Sequence, residues 1–222
     1  MLRAEAAWLA GELERLATDD LSPLLSIGSG DAELRATQPW IHRRVYDRLA
    51  RRGVRVLHHE LHPAPGVDVA GDLTDPRFLE RLDKLEIRSV MCCNVLEHVP
   101  NPAQVASALE RAVAPGGYAL ISVPRRYPYH PGPIDTLFRP TVDELRGLFP
   151  ELGYESGAEI RCESLARYVL SSSTKWASVT RGLRTRAPAE ARTPLRETLR
   201  MGLLSTAVSA VVLRAPVVPS TV

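Results

Sequence analysis

The sequence predicts an α/β domain built on a doubly wound, mostly parallel sheet of seven strands. Two observations carry that expectation. Short apolar runs (24–27, 54–59, 67–72, 87–93 and 118–123) alternate with segments of helical periodicity, and parallel strands need such crossovers. The first run also breaks into the turn Gly28-Ser29-Gly30-Asp31-Ala32, where glycine permits a tight turn and close approach of backbone to a ligand. Taken alone, Gly-Ser-Gly is as good an ordinary loop as a nucleotide-binding turn, and the rest of the chain decides between them.

With 222 residues, 45% hydrophobic and 24% charged, the chain has the composition of a globular protein with room for one domain and an appendage. A net charge of +2 argues neither for nor against nucleic acid, and no nucleic-acid partner is expected. Cys92, Cys93 and Cys162 are odd in number, and the adjacent pair lies in an apolar run, so they read as small buried hydrophobes. No stretch approaches the ~18 uninterrupted apolar residues of a membrane span. No signal-type segment opens the chain either, and a cytoplasmic location is expected.

Residues 1–20 are expected to hold an amphipathic helix. Leu2, Ala6, Leu9, Leu13 and Leu16 recur at helical spacing, with Arg3, Glu5, Glu12, Glu14 and Arg15 placed mostly on the remaining surface. This helix covers an edge or face of the domain, or acts as a lid over a pocket. The core, 21–163, begins with a turn at Asp19–Pro23 and the first strand. A helix over 39–52 starts at Pro39 and stops at Gly53. The second strand ends in Glu60, and in a nucleotide-binding βαβ unit a carboxylate there accepts from both ribose hydroxyls.

His58, His59 and His62 raise a metal reading. Their spacing is not H-E-x-x-H, and Pro63 and Pro65 exclude a helix presenting them on one face, so no metal is assigned. Val67–Asp72 is a third strand, with Asp72 either a helix cap or an acceptor for an adenine amino group. A Pro76-started helix runs through Leu85, and Ile87–Cys93 is a central strand covered on both faces. Asn101 and Pro102 start a helix to Val113, which Pro115-Gly116-Gly117 ends before the strand 118–123.

At this point the sequence resembles the class I S-adenosylmethionine-dependent methyltransferases, in particular the type 11 group, over roughly residues 22–150. Gly28-Ser29-Gly30, Asn94-Val95-Leu96-Glu97-His98-Val99-Pro100 and Pro115-Gly116-Gly117 carry the resemblance by their order and spacing. It implies a Rossmann-like fold whose last strand is antiparallel beside the fifth, and S-adenosyl-L-methionine as cofactor. It also implies that Gly28 and Gly30 pass beneath the cofactor's methionine portion, that Glu60 holds the ribose and Asp72 meets the adenine. The stretch from Asn94 to His98 would wall the methyl side. Where the family usually has an acid two residues before the first glycine, this chain has Ser26.

The proline-stiffened segment 123–141 looks like the substrate-side loop of some of these enzymes. Tyr127, Tyr129, His130 and Asp135 there would contact the acceptor, with His130 or His98 as base; the alternative is a rigid loop whose aromatics pack on the sheet. A capping box at Thr141 and Glu144 begins a helix through Phe149. Residues 158–163 supply the sixth strand and 206–213 the seventh, the latter within a terminal segment 204–222 whose end, 216–222, is a loose tail. Between them, 164–203 forms a basic, partly helical insertion. Its cations between 175 and 200 either meet an anionic surface or are a solvated face.

The expected function is methyl transfer to a small molecule or sugar, at oxygen. A catalytically silent, methyltransferase-like binding or scaffold protein is the alternative, motivated by Ser26 and the insertion. A nicotinamide-dependent reductase would leave Asn94–Pro100 and Pro115–Gly117 unexplained.

Overall fold

The computed structural model describes residues 1–130, 134–164 and 205–217. Its strands are β1 Leu24–Ile27, β2 Val56–Glu60, β3 Val69–Ala70, β4 Ser89–Cys93, β5 Tyr118–Arg126, β6 Gly153–Ser164 and β7 Ser205–Arg214. They form one seven-stranded sheet in the order β3-β2-β1-β4-β5-β7-β6. The pairs from β3 to β5 are parallel, and β7 runs antiparallel between β5 and β6. This is the mixed Rossmann-like architecture. The order reverses between β1 and β4, which leaves a crevice beyond their C-terminal ends.

Strand alternation divides the core into two layers. Leu25, Ile27, Val90, Cys92, Ile121 and Val123 face one side, where helices α6 (Pro76–Asp83), α7 (Pro102–Ala112) and α8 (Val142–Gly147) supply Phe78, Leu109 and Leu145. Leu24, Met91, Leu120 and Val212 face the other. There α1 (Arg3–Arg15) and α5 (Asp47–Arg51) cover them with Leu9, Leu13 and Leu49. Two short helices, α2 (Thr18–Leu21) and α3 (Ala32–Ala36), flank β1. The helix expected over 39–52 is α4 (Pro39–Ile41) continued by a π-helical turn, His42–Tyr46, before α5. A single π turn inside a helix commonly marks a side chain re-aimed for a local purpose, and this one ends on Tyr46.

Three expectations need correction. Glu5 and Glu12 are buried, 1% and 7% exposed, instead of lying on the outer face of α1. Each sits three residues after Leu2 or Leu9 and so shares the buried stripe. β3 has only two residues, since its ladder is limited to His59↔Val69 and Glu60↔Ala70. β6 is longer than 158–163 because β7 supplies ladder partners back to Gly153. Of the insertion expected over 164–203, Ser164 ends β6 and the remainder lies outside the described residues, as does the tail beyond 217. No helix among the described residues is long and apolar enough to cross a membrane.

Burial makes stability pH-dependent. Desolvation, with help from the Arg35 charge, lowers His58 from 6.5 to about 4, and desolvation also lowers His59. Between those values the unfolded chain binds the proton that folded His58 refuses. The contribution is therefore complete above pH 6.5 and lost as pH falls toward about 4. After discounting for solvent screening, His58 is expected to account for about 1–2 kcal/mol of lost stability. Urea midpoints at neutral and mildly acidic pH measure this, and His58→Asn should flatten the slope.

Candidate active site

The glycine turn sits where β1 ends. Gly28 and Gly30 have φ of +60° and +78°, left-handed values that favour glycine. A Cβ on Gly28 would stand 2.4 Å from Val95 Cγ2, so the turn and the loop after β4 close on one another here. Gly30 N donates to Glu60 Oε1 at 2.5 Å, which joins the ends of β1 and β2. Arg35 donates to the carbonyls of Gly30 and Gly66 and pins the turn from the other side. Asp31, whose carboxylate accepts from Leu34 N at 2.7 Å, is the N-cap of α3.

Ser26, at the position where an acid is usual, is 2% exposed and lies 3.0 Å from the Tyr46 hydroxyl. Burial raises the Tyr46 pKa, so this is a neutral pair. Tyr46 in turn meets the His58 ring edge-on at 4.9 Å, and His58 Nδ1 is 3.0 Å from Ser29 Oγ. Ser26, Gly28, Ser29, Tyr46, Met91 and Cys93 line a cavity of about 90 Å³ at this end of the sheet. His58 and His59 do not converge: they alternate across β2, and His59 Nε2 is 2.9 Å from the Gly71 carbonyl.

S-adenosylmethionine fits these residues. It needs a carboxylate for ribose, backbone without side chains at the turn, and a cleft beside it. Glu60 keeps one oxygen without a partner among the described residues, Gly28 is exposed, and the cavity adjoins Gly28. Asp72 is also exposed; its Oδ1 accepts from the amide (2.8 Å) and hydroxyl (2.7 Å) of Thr74, bonds that lower its pKa. Its second oxygen is unengaged among the described residues.

Asn94 is placed differently. Its amide nitrogen donates to Glu5 Oε1 at 2.8 Å, and Ser122 Oγ donates to the same oxygen at 2.6 Å. Leu2 N donates to Glu5 Oε2 at 2.9 Å. A buried carboxylate of α1 thus holds the ends of β4 and β5 together, and Asn94, at φ +56°, turns the chain into the 3₁₀ segment Leu96–His98.

That segment presents Glu97 and His98 to His130. His98 Nδ1 donates to the Ile134 carbonyl, and His130 Nδ1 lies 3.3 Å from the Pro128 carbonyl and 3.1 Å from Asp135 Oδ2. Those partners can only accept, so in the neutral rings both Nε2 atoms carry lone pairs. The two Nε2 atoms face each other at 3.4 Å, and Glu97 Oε1 is 3.7 Å from that of His98. Glu97 is fully buried, and neither of its oxygens has a hydrogen-bond partner among the described residues. Burial pushes its pKa up to about 7 against the nearby His130 and Arg139 charges.

Asp135 does not open toward an acceptor. Its side chain is 0% exposed and takes both Arg139 nitrogens, at 3.0 and 2.6 Å, as well as the amides of Leu137 and His130. Burial raises its pKa, but the bonds from His130, Arg139 and these amides prevail and keep it ionised. It is a holder of His130. Tyr127 packs with Leu2 and Ile160 while its ring meets that of His130 edge-on at 5.4 Å; Tyr129 is half-buried.

The structure therefore brings His98 and His130 together, and Gly28, Gly30 and Glu60 together. Glu97 and Glu5 were not singled out from the sequence as site residues. Glu97 was within reach, as the acid beside His98 directly after a buried strand. Glu5 carried no local signal beyond its place on the apolar stripe.

Comparisons with known proteins agree with the fold. The chain is similar to the [4+2]-cyclase SpnF at 14% identity and a TM-score of 0.54, over 96% of this chain and 81% of that one. It is likewise similar to an S-adenosylmethionine-dependent methyltransferase from Archaeoglobus fulgidus at 14% identity and a TM-score of 0.50, over 94% of each chain. A ubiquinone biosynthesis O-methyltransferase of Dechloromonas aromatica (strain RCB) is 46% identical over 43 residues, a match that spans 19% of this chain and only 18% of that relative. A family model described as a methyltransferase domain matches residues 2–165, most of the chain. That match, on a sheet of this order with a glycine turn at its switch point, makes the chain a member of the class I S-adenosylmethionine-dependent methyltransferases.

Proposed function

We propose that the protein transfers the methyl group of S-adenosylmethionine to an oxygen of a small molecule or sugar. The observation that carries the oxygen reading is the pair of imidazole lone pairs, His98 Nε2 and His130 Nε2, beyond the ends of β4 and β5. When bound, the cofactor supplies a methyl group on an already activated sulfonium. The protein's part is alignment and proton removal. Glu60 accepts from the ribose hydroxyls, Asp72 from the adenine amino group, and the Gly28–Gly30 backbone lies along the methionine portion. Asn94 fixes the turn that carries the methyl-side wall. His130 takes the acceptor's proton at Nε2, and Asp135 steadies the resulting imidazolium through Nδ1. Tyr127 and Tyr129 border the acceptor.

Calorimetric titration with S-adenosylmethionine and, separately, NADH tests the cofactor. Labelled-methyl transfer to a panel of hydroxylated small molecules and sugars tests the reaction. Saturable binding of the first ligand alone and an O-methylated product are expected, with turnover reduced about 100-fold in His130→Ala. Binding without transfer to any acceptor would favour the silent binding or scaffold reading. Binding of neither ligand would end the cofactor assignment.

A further inference from the structure

We propose that Glu97, His98 and His130 bind a divalent transition ion of the zinc or cobalt type. Each imidazole spends its Nδ1 proton on a fixed oxygen, so both Nε2 atoms present lone pairs across 3.4 Å. The third group facing them is the Glu97 carboxylate, fully buried and without a hydrogen-bond donor among the described residues. Three lone-pair donors are clustered, their ligating atoms all within 4.8 Å of one another. Such an arrangement suits a cation.

The spacing suits an ion. Two donors each about 2.1 Å from a tetrahedral centre stand about 3.4 Å apart. The two Nε2 atoms are at that separation, and Glu97 Oε1 is 3.7 Å from His98 Nε2. Outer support is also in place. Asp135 lies 3.1 Å from His130 Nδ1 and is itself clamped by Arg139, the carboxylate–histidine arrangement that fixes a metal-binding ring. Two imidazoles and one carboxylate prefer zinc-like ions to magnesium or calcium. Three protein ligands leave a fourth position open, and in the oxygen-methylation reading, on which this last step rests, an acceptor oxygen docks there and loses its proton because the ion acidifies it, in place of proton removal by His130 Nε2, whose lone pair the ion then holds.

The test uses untagged full-length protein stripped with chelator. Equilibrium dialysis against Zn²⁺ should give stoichiometric binding. Co²⁺ should give visible d–d absorption that Zn²⁺ abolishes, and Mg²⁺ should not compete. His130→Ala, on a loop outside the sheet, and Glu97→Gln are each expected to weaken Zn²⁺ binding about 100-fold or more, and Asp135→Asn about 10-fold. His62→Ala, at an exposed position outside the cluster, should change nothing. Lack of stoichiometric Zn²⁺ or Co²⁺ binding by the parent protein would overturn the proposal, and so would unchanged binding in His130→Ala. S-adenosylmethionine titration of the same preparations keeps the two readings apart: cofactor binding without metal sinks only the metal site, and metal without cofactor sinks only the methyltransferase function.

Discussion

Glu60→Ala is expected to bind S-adenosylmethionine about 100-fold more weakly than the parent protein, with little change in fold. The carboxylate ends β2, where one oxygen accepts from Gly30 N and the other has no partner among the described residues. Hydrogen bonds to a charged group contribute about 1.5–3 kcal/mol each. Two bonds to the ribose together make about 3 kcal/mol, or roughly two decades of affinity. Removing the carboxylate also frees the glycine turn from β2, although Arg35 still grips the Gly30 carbonyl. Glu60→Gln keeps an acceptor oxygen and should lose only about 10-fold. Calorimetry on both variants checks this, with thermal melting as control. An Ala variant that binds as tightly as the parent would place the ribose elsewhere.

The parts of the fold that depend on neighbours in sequence were readable. β1, β4 and β5 are apolar runs with turn residues at their ends, and α7 carries its own start in Asn101 and Pro102. β6 was only half visible because it is an edge strand of Gly, Ser and Glu, and its ladder comes from β7 across the insertion. In the candidate site, Gly28, Gly30 and Glu60 were legible because a glycine turn and an acid at the next strand end form a local pattern. Glu5 was not. Its partners Asn94 and Ser122 lie 89 and 117 residues away, and a carboxylate on an amphipathic helix is ordinarily solvated. The pairing of His98 with His130 spans 32 residues and depends on how the β5 loop folds back, which Asp135 and Arg139 determine.

Glu5→Ala carries the largest expected stability loss, about 3–5 kcal/mol. Glu5 is 1% exposed and is the common acceptor for Leu2 N, Asn94 Nδ2 and Ser122 Oγ. A buried donor left without its acceptor costs about 1–3 kcal/mol, and three are released together. Against a typical total of about 5–15 kcal/mol that is a large share, and for a chain of this size it lowers the melting temperature by roughly 10 °C. Glu5→Gln keeps one oxygen for Asn94 and Ser122 but turns an amide toward Leu2 N, so about half the loss is expected. Urea unfolding of both variants measures the effect. Adding Ser122→Ala to Glu5→Ala removes one stranded donor and should recover part of the loss, a coupling absent if the helix merely packs. A change below about 0.5 kcal/mol in Glu5→Ala would mean that water replaces the carboxylate without cost. The functional consequence follows from Asn94: its left-handed turn leads into Glu97 and His98, so releasing Glu5 loosens the base pair that His98 and His130 form. Methyl transfer should then fall more than cofactor binding, because Glu60 and the glycine turn are anchored through β2 and Arg35, independently of α1.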